Sequence, residues 1–327
     1  MRVFLPAILL CAAWQSHAEQ PSTLALGQGV VEQFYAGNTS AVWPRMTADM
    51  QKAIGRESNL KNVRDSVFAQ LGTEERLLSE RVESSGGFDV YLRRTSFSES
   101  AAPVTITVSF DRERRIAGFL IRPEPEAAES PYLDYDTQAQ LRLPFDGEWY
   151  VFWGGRSVEQ NYHAIASDQR FAYDFVMLRN GRSHTGDGTL NEQYHCWEQP
   201  ILAPAAGIVT TAVDGLPDLN PGDMDGAMPA GNHVILNLGN DEFALFAHLR
   251  QDSIAVEKGD KVAAGEVLGL CGNSGNTSEP HLHFHIQDQD GFGKGLGKPA
   301  FFLDYLADGE PVERGEPLRG QRVEAAD

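Results

Sequence analysis

Three histidines stand two residues apart in Pro280-His281-Leu282-His283-Phe284-His285, and that spacing restricts what the segment can become. Side chains alternate faces along a β-strand, so on a strand His281, His283 and His285 all point the same way. One face of one strand then offers three imidazoles to a single site. Neutral imidazole is a common ligand for divalent transition metals and the side chain best matched to proton transfer near neutral pH. Two readings stay open at this point, a metal or proton-transfer site and ordinary packed strand histidines. The residues upstream have to separate them.

At 327 residues the chain suggests two domains. Arg2 precedes an apolar run from Val3 to Trp14, and Ser16-His17-Ala18 offers a small-residue cleavage site. The run is too short to span a bilayer, so residues 1–18 are expected to be a secretory signal peptide. A periplasmic or extracellular protein starting near Glu19, with no membrane span after signal removal, follows. The formal net charge is −19 and becomes more acidic once Arg2 is removed. Such a field excludes nucleic acid and anionic membrane surfaces as partners bound by overall charge. Cys11 leaves with the signal, and the remaining pair, Cys196 and Cys271, suggests a disulfide in an exported protein, with two separate free thiols as the alternative.

Residues 24–36 place Leu24, Val31, Phe34 and Tyr35 at helical spacing, and residues 58–71 repeat it with Leu60, Val63, Val67 and Leu71. A short helix over 46–54, with Thr47 as its cap, fits between them. Strands are expected over 77–83, 88–97, 104–110 and 116–121. Strict alternation in Val104-Thr105-Ile106-Thr107-Val108-Ser109-Phe110 marks a sheet with one buried face. Residues 19–121 therefore read as an accessory α+β domain, similar in pattern to small cystatin-like or NTF2-like domains. It holds no histidine and no cysteine, which leaves it a binding or spacing role. The proline and acid run from Arg122 to Pro131 opens a linker over 122–140.

From 141 to 310 the chain is strand-rich and glycine-rich, followed by a polar tail over 311–327. In a strand over 169–176, Phe171, Tyr173 and Phe175 share one face and Asp174 takes the other. An acid in so apolar a strand needs a partner, which is either an ion pair or a metal. Two long loops, 180–200 with His184 and His195 and 214–231, are expected to wall a cleft. A hairpin over 232–238 and 242–249 ends at His248, two short strands occupy 256–269, and a glycine-punctuated loop over 271–277 leads into His281.

In order, the segment carries His then Asp, A-P-x-x-G-x-V, G-N-x-V, A-H-L, V-x-x-G-D-x-V-x-x-G-x-x-L-G and G-N-S-G-N-T-S-x-P-H-L-H. Residues 145–290 thereby resemble the lysostaphin/LytM-type zinc metallopeptidases, the Duplicated Hybrid Motif or peptidoglycan endopeptidase family. The resemblance implies a mostly antiparallel all-β peptidase domain, a β-sandwich or barrel, with one Zn2+ per chain at the floor of a groove. It implies Asp174 and His283 as metal ligands, His248 and His281 as the catalytic histidines, and His285 only as part of the neighbouring surface. The family pattern His-x-x-x-Asp is broken, since Arg170 stands four residues before Asp174 and a guanidinium cannot ligate zinc. His163, folded back by the loop 164–168, is favoured as third ligand over His184, His195 or no third ligand at all.

Three protein ligands and one open position are the arrangement of a catalytic zinc, which acidifies its water to a pKa of about 7 and polarises a carbonyl. The chain has no H-E-x-x-H, and His281 and His248 fit the vacant roles of general acid/base and oxyanion stabiliser. The implied function is an exported zinc metalloendopeptidase cutting peptide bonds in peptidoglycan cross-links or bridges. The competing class is a catalytically inactive binding or activator module of the same fold. A biotinyl or lipoyl carrier shares the glycine rhythm but needs a lysine in its hairpin turn that this chain lacks.

Overall fold

The computed structural model describes residues 21–326, so the expected signal peptide lies outside the described residues. The chain divides into two compact units between Glu124 and Pro125. No helix among the described residues is long and apolar enough to cross a membrane.

The first unit has helices α1 (Thr23–Tyr35), α2 (Thr39–Val42), α3 (Ala48–Ile54) and α4 (Glu57–Leu71), then strands β1 (Glu74–Ser85), β2 (Phe88–Phe97), β3 (Val104–Phe110) and β4 (Ile116–Pro123). The four strands form an antiparallel meander in sequence order. Thr47 caps α3, its hydroxyl accepting from the Met50 N–H at 3.2 Å, which satisfies one of the donors a helix start leaves free. Along β3 every second residue is buried, and Ile106, Val108 and Phe110 pack with Val30, Val31 and Phe34 of α1. Each such side chain contributes about 1.5–3 kcal/mol on burial. Gly27 permits the close approach of helix and sheet, because a Cβ there would lie 2.1 Å from Tyr91.

The second unit is almost entirely strands. Its elements are β5 (Trp149–Trp153), β6 (Tyr173–Val176), β7 (Pro200–Leu202), β8 (Gly207–Val213), β9 (Asn232–Asn237) and β10 (Phe243–Leu249). They continue with β11 (Lys261–Val262), β12 (Val267–Leu270), β13 (Leu282–Gln287), β14 (Gly297–Lys298), β15 (Phe302–Ala307), β16 (Glu310–Gly315) and β17 (Arg322–Ala325). One sheet runs β11-β8-β9-β10-β13-β6-β5-β17-β15-β16, with β14 also on β13, and β12 pairs with β7 separately. All its pairings are antiparallel. Tyr173 and Phe175 stack with ring centroids 5.3 Å apart and enter the core with Phe246, Phe284 and Phe302. Asp174 is thereby turned to the opposite face.

Two expected boundaries are corrected. Of the expected tail 311–327, the described residues 311–326 are built into the sheet: β17 pairs with both β5 and β15, and Val323 is fully buried. The linker expected over 122–140 is built into the second unit from Ala128 onward, where the Arg170 guanidinium donates to the Ala128 carbonyl at 2.9 Å. Further along, fully buried Glu242 accepts from the Tyr135 hydroxyl and from the backbone N–H groups of Gln138 and Ala139, at 2.7 to 3.0 Å. Glu242→Ala leaves three donors without an acceptor, each costing about 1–3 kcal/mol when buried. We expect this variant to lose about 2–4 kcal/mol of unfolding free energy in a urea titration. A loss below about 1 kcal/mol would mean that water takes over these donors.

Candidate metal centre

Adjacent strands β10, β13 and β6 bring the polar residues together. In the antiparallel register His283 stands opposite Asp174 on one side and Ala247 on the other. His283 Nδ1 lies 2.9 Å from Asp174 Oδ1, and His281 Nε2 lies 3.5 Å from the same oxygen. Asp174 Oδ2 faces His163 Nε2 at 3.5 Å. One ligand atom from each of His163, Asp174 and His283 lies within 4.8 Å of the other two, and all three residues are buried.

His163 reaches this position from a short 3-10 turn, 162–165, whose cap is Asn161. The Asn161 amide NH2 donates to the carbonyls of Gly155 and Ala172, so its Oδ1 is the atom that accepts from His163 Nδ1 at 2.9 Å. This bond puts the ring hydrogen on Nδ1 and leaves the Nε2 lone pair facing Asp174. Tyr162 covers the ring, with centroids 3.9 Å apart. Burial, with minor opposition from the Asp174 charge, drives the His163 pKa down to about 3, which keeps the imidazole neutral and able to bind a metal.

The other two histidines are oriented in the same manner. His281 Nδ1 donates to the Glu279 carbonyl at 2.8 Å, and His248 Nδ1 donates to the Ser274 carbonyl at 2.9 Å. His248 is left with an Nε2 acceptor, His281 Nε2 faces the Asp174 carboxylate, and their ring centroids are 4.8 Å apart. Burial pulls the His281 pKa down, but the Asp174 carboxylate outweighs it and raises the value to about 9. Burial holds His248 well below the ordinary histidine range. For Asp174 burial acts upward, yet the surrounding histidines outweigh it and keep the carboxyl well below its usual range. A divalent cation at Asp174 would replace these pairwise effects as the largest local charge.

His248 sits at φ 61°, left-handed backbone for a non-glycine residue, at the break in β9–β10 pairing between Phe246 and Leu249. Such a conformation costs about 1–3 kcal/mol and persists only where the surroundings impose it. The surroundings are the G-N-S-G loop: fully buried Ser274 accepts from the Asn232 N–H and donates to the Leu249 carbonyl. Gly231, at φ 58°, lies so close to this loop that a Cβ would come within 2.2 Å of the Ser274 carbonyl oxygen.

Of the histidines weighed as third ligand, His163 joins the cluster. His184 instead packs on Tyr194 at 5.2 Å, and neither His184 nor His195 has a ligand atom in the group. Arg170 is buried and spends its guanidinium on the carbonyls of Ala128 and Arg156. His285 is not a surface neighbour as expected but is fully buried, its Nδ1 3.0 Å from His283 Nε2. The expected disulfide is also corrected: Cys196 and Cys271 are both buried and free, and the Cys196 thiol is engaged by the Pro280 carbonyl at 3.0 Å. The roles of Asn161, Ser274 and His285 were not legible in the sequence. An asparagine two residues before His163 and a third histidine in the β13 row were the available signals.

A groove of about 620 Å³ reaches the cluster at Asp174, lined also by Phe152, Trp153, Tyr162, Met224 and His281, while His163, His248 and His283 border a separate hollow of about 60 Å³. The groove adjoins a hollow of about 510 Å³ that shares Phe152, Val176, Ser183 and Glu279 with it. The loops 180–200 and 214–231 thus contribute Ser183 and Met224 to its walls.

Residues 194–293, which carry His248, His281 and His283, match the family model described as Peptidase family M23. Over this segment the chain is similar to M23 peptidases. His163 and Asp174 stand N-terminal to the matched segment; Asp174 reaches it through the β6–β13 pairing and His163 through the 162–165 turn. Over 57 residues the chain is 42% identical to the peptidoglycan DD-endopeptidase ShyA of Vibrio cholerae, covering 17% of this chain and 13% of that protein. An uncharacterized metalloprotease of Haemophilus influenzae is 34% identical over 89 residues, 27% of this chain and 16% of the relative. The chain thus matches less than a fifth of the length of either of these relatives. The solved catalytic domain of lysostaphin from Staphylococcus simulans is similar at 19% identity with a TM-score of 0.28, covering 47% of this chain and 88% of that one.

Proposed function

We propose that this chain is a zinc metallopeptidase that hydrolyses peptide bonds in peptidoglycan, with His163, Asp174 and His283 as metal ligands. The observation that carries the reading is the donor set itself. Two imidazoles and one carboxylate, buried and with ligand atoms within 4.8 Å, converge where Asp174 borders a groove, and two histidines and one carboxylate form a known catalytic zinc set. Such a group, when bound, supplies Lewis-acid polarisation of a scissile carbonyl and acidifies water.

The protein's own residues then do the rest. His281 and His248, each with its Nδ1 hydrogen committed to a backbone carbonyl, present Nε2 atoms able to take a proton from a nucleophilic water or, once protonated, to donate to a developing oxyanion. Phe152, Trp153 and Tyr162 form an aromatic wall beside His281. Similarity to the peptidoglycan DD-endopeptidase of Vibrio cholerae supports peptidoglycan as the substrate, and the basic and apolar residues 2–18 support action outside the cytoplasm. A module that had shed its metal would be expected to lack one or more of these five side chains, all of which are in place.

The expected result is about one zinc per chain by metal analysis, with release of peptide fragments from purified peptidoglycan that stops on adding chelator and returns with zinc. A protein that binds no zinc at micromolar concentration would defeat this function. Zinc binding without peptidoglycan cleavage would leave the metal site and remove the substrate.

A further inference from the structure

We propose that His285 and Gln287 are positioning residues that fix which nitrogen of His283 faces Asp174. Both are fully buried on the same face of β13 as His283, and neither belongs to the ligand set or the two groove histidines. The bonds run in a row: His283 Nε2 to His285 Nδ1 at 3.0 Å, then His285 Nε2 to Gln287 Oε1 at 2.9 Å. Gln287 Nε2 closes it on the carbonyls of Gln289 and Gly291.

The direction of the row follows from its far end. Two carbonyl oxygens can be met only by an NH2 group, so the Gln287 amide has a single orientation, with its oxygen toward His285. An oxygen there requires hydrogen on His285 Nε2. In a neutral ring His285 Nδ1 is then an acceptor, and the only hydrogen that can fill its contact with His283 sits on His283 Nε2. As a neutral ring, the form in which histidine ligates a metal, His283 then has a bare Nδ1, 2.9 Å from a carboxylate oxygen. The reverse polarity would turn the Gln287 oxygen onto two carbonyls, three acceptors with no hydrogen among them. Reversal is therefore shut out at the 289–291 turn, six to eight residues beyond His283.

A bare nitrogen and a carboxylate oxygen in contact both lack a hydrogen, and a shared cation resolves the contact. The proposal rests on the metal reading above in this one respect, that the cation is zinc. It also explains the length of the histidine row: the first ring faces the groove, the second faces the ligand set, and the third, with Gln287, sets the second.

His285→Gln keeps the polarity, its amide oxygen accepting from His283 and its NH2 donating to Gln287. His285→Leu removes it at similar bulk. Using the full-length chain and competition with a chromophoric chelator, we expect His285→Leu to bind zinc about 10–100-fold more weakly and His285→Gln to stay within about threefold of wild type. Long-range proton–nitrogen NMR of the metal-free wild type should place the His283 hydrogen on Nε2. That measurement needs neither zinc nor a folded variant. A hydrogen on His283 Nδ1, or equal affinity in wild type and a folded His285→Leu, overturns the relay, whereas a wild type that takes up no zinc while keeping the Nε2 hydrogen overturns only the metal reading.

Discussion

His163→Ala is expected to reduce bound zinc from about one per chain to a small fraction and to lower peptidoglycan hydrolysis by at least about 10³-fold, beyond the 10–100-fold usual for residues that merely support a ligand. The reason is geometric. His163 is the only member of the cluster outside the sheet, held by a single short turn and by Asn161, and without it Asp174 and His283 offer two ligands where a catalytic zinc uses three. His184→Ala and His195→Ala should leave zinc content and rate within about twofold, because both rings stand apart from the ligand group. Metal content by mass spectrometry, measured alongside circular dichroism to show that the variant folds, checks this directly. If a folded His163→Ala holds a full equivalent of zinc, the third ligand lies elsewhere. Asn161→Ala offers a graded version: the ring remains but its orientation is free, so weaker binding of about 10–100-fold is expected rather than loss.

The parts of this site that could be read from the chain are those governed by a local period. Alternation placed Asp174 opposite Tyr173 and Phe175, and it put the β13 histidines on one face. Spacing likewise located α1, α4, the Thr47 cap and the half-buried strand β3, whose boundaries depend on residues within one or two turns of themselves. What the chain hid is set by partners far away in sequence. His163 is eleven residues from Asp174 along the chain, and nothing in residues 164–168 announces that a capped turn returns it to the strand. Arg170, in the position a ligand would take, serves instead to hold the 128 and 156 carbonyls. The C-terminal strand β17 has one fully buried residue, Val323, too little alternation to distinguish it from a tail. Glu242 reads as a turn acid until residues 135–139 close over it. His285 was legible as a member of the row but not as its anchor, since that depends on how Gln287 meets the 289–291 turn.

His281→Ala and His248→Ala should separate metal binding from chemistry. Each is expected to keep about one zinc per chain while kcat falls by about 10²–10⁴-fold, the usual range for loss of a positioned acid or base. His281 Nε2 stands 3.5 Å from Asp174 Oδ1, close enough to pass a proton to or from a water held beside the carboxylate, but farther than the 2.9 Å contact of His283. His248 is placed across from it on strained backbone, with ring centroids 4.8 Å apart. That separation suits two groups acting on opposite sides of one reacting carbonyl. If the two serve the same step, the double variant will be little slower than the worse single one, because groups acting as a unit are non-additive. If they serve different steps, the losses multiply. A fall in zinc content for His281→Ala would instead make its ring a fourth ligand and would close the open position that the proposed hydrolysis needs.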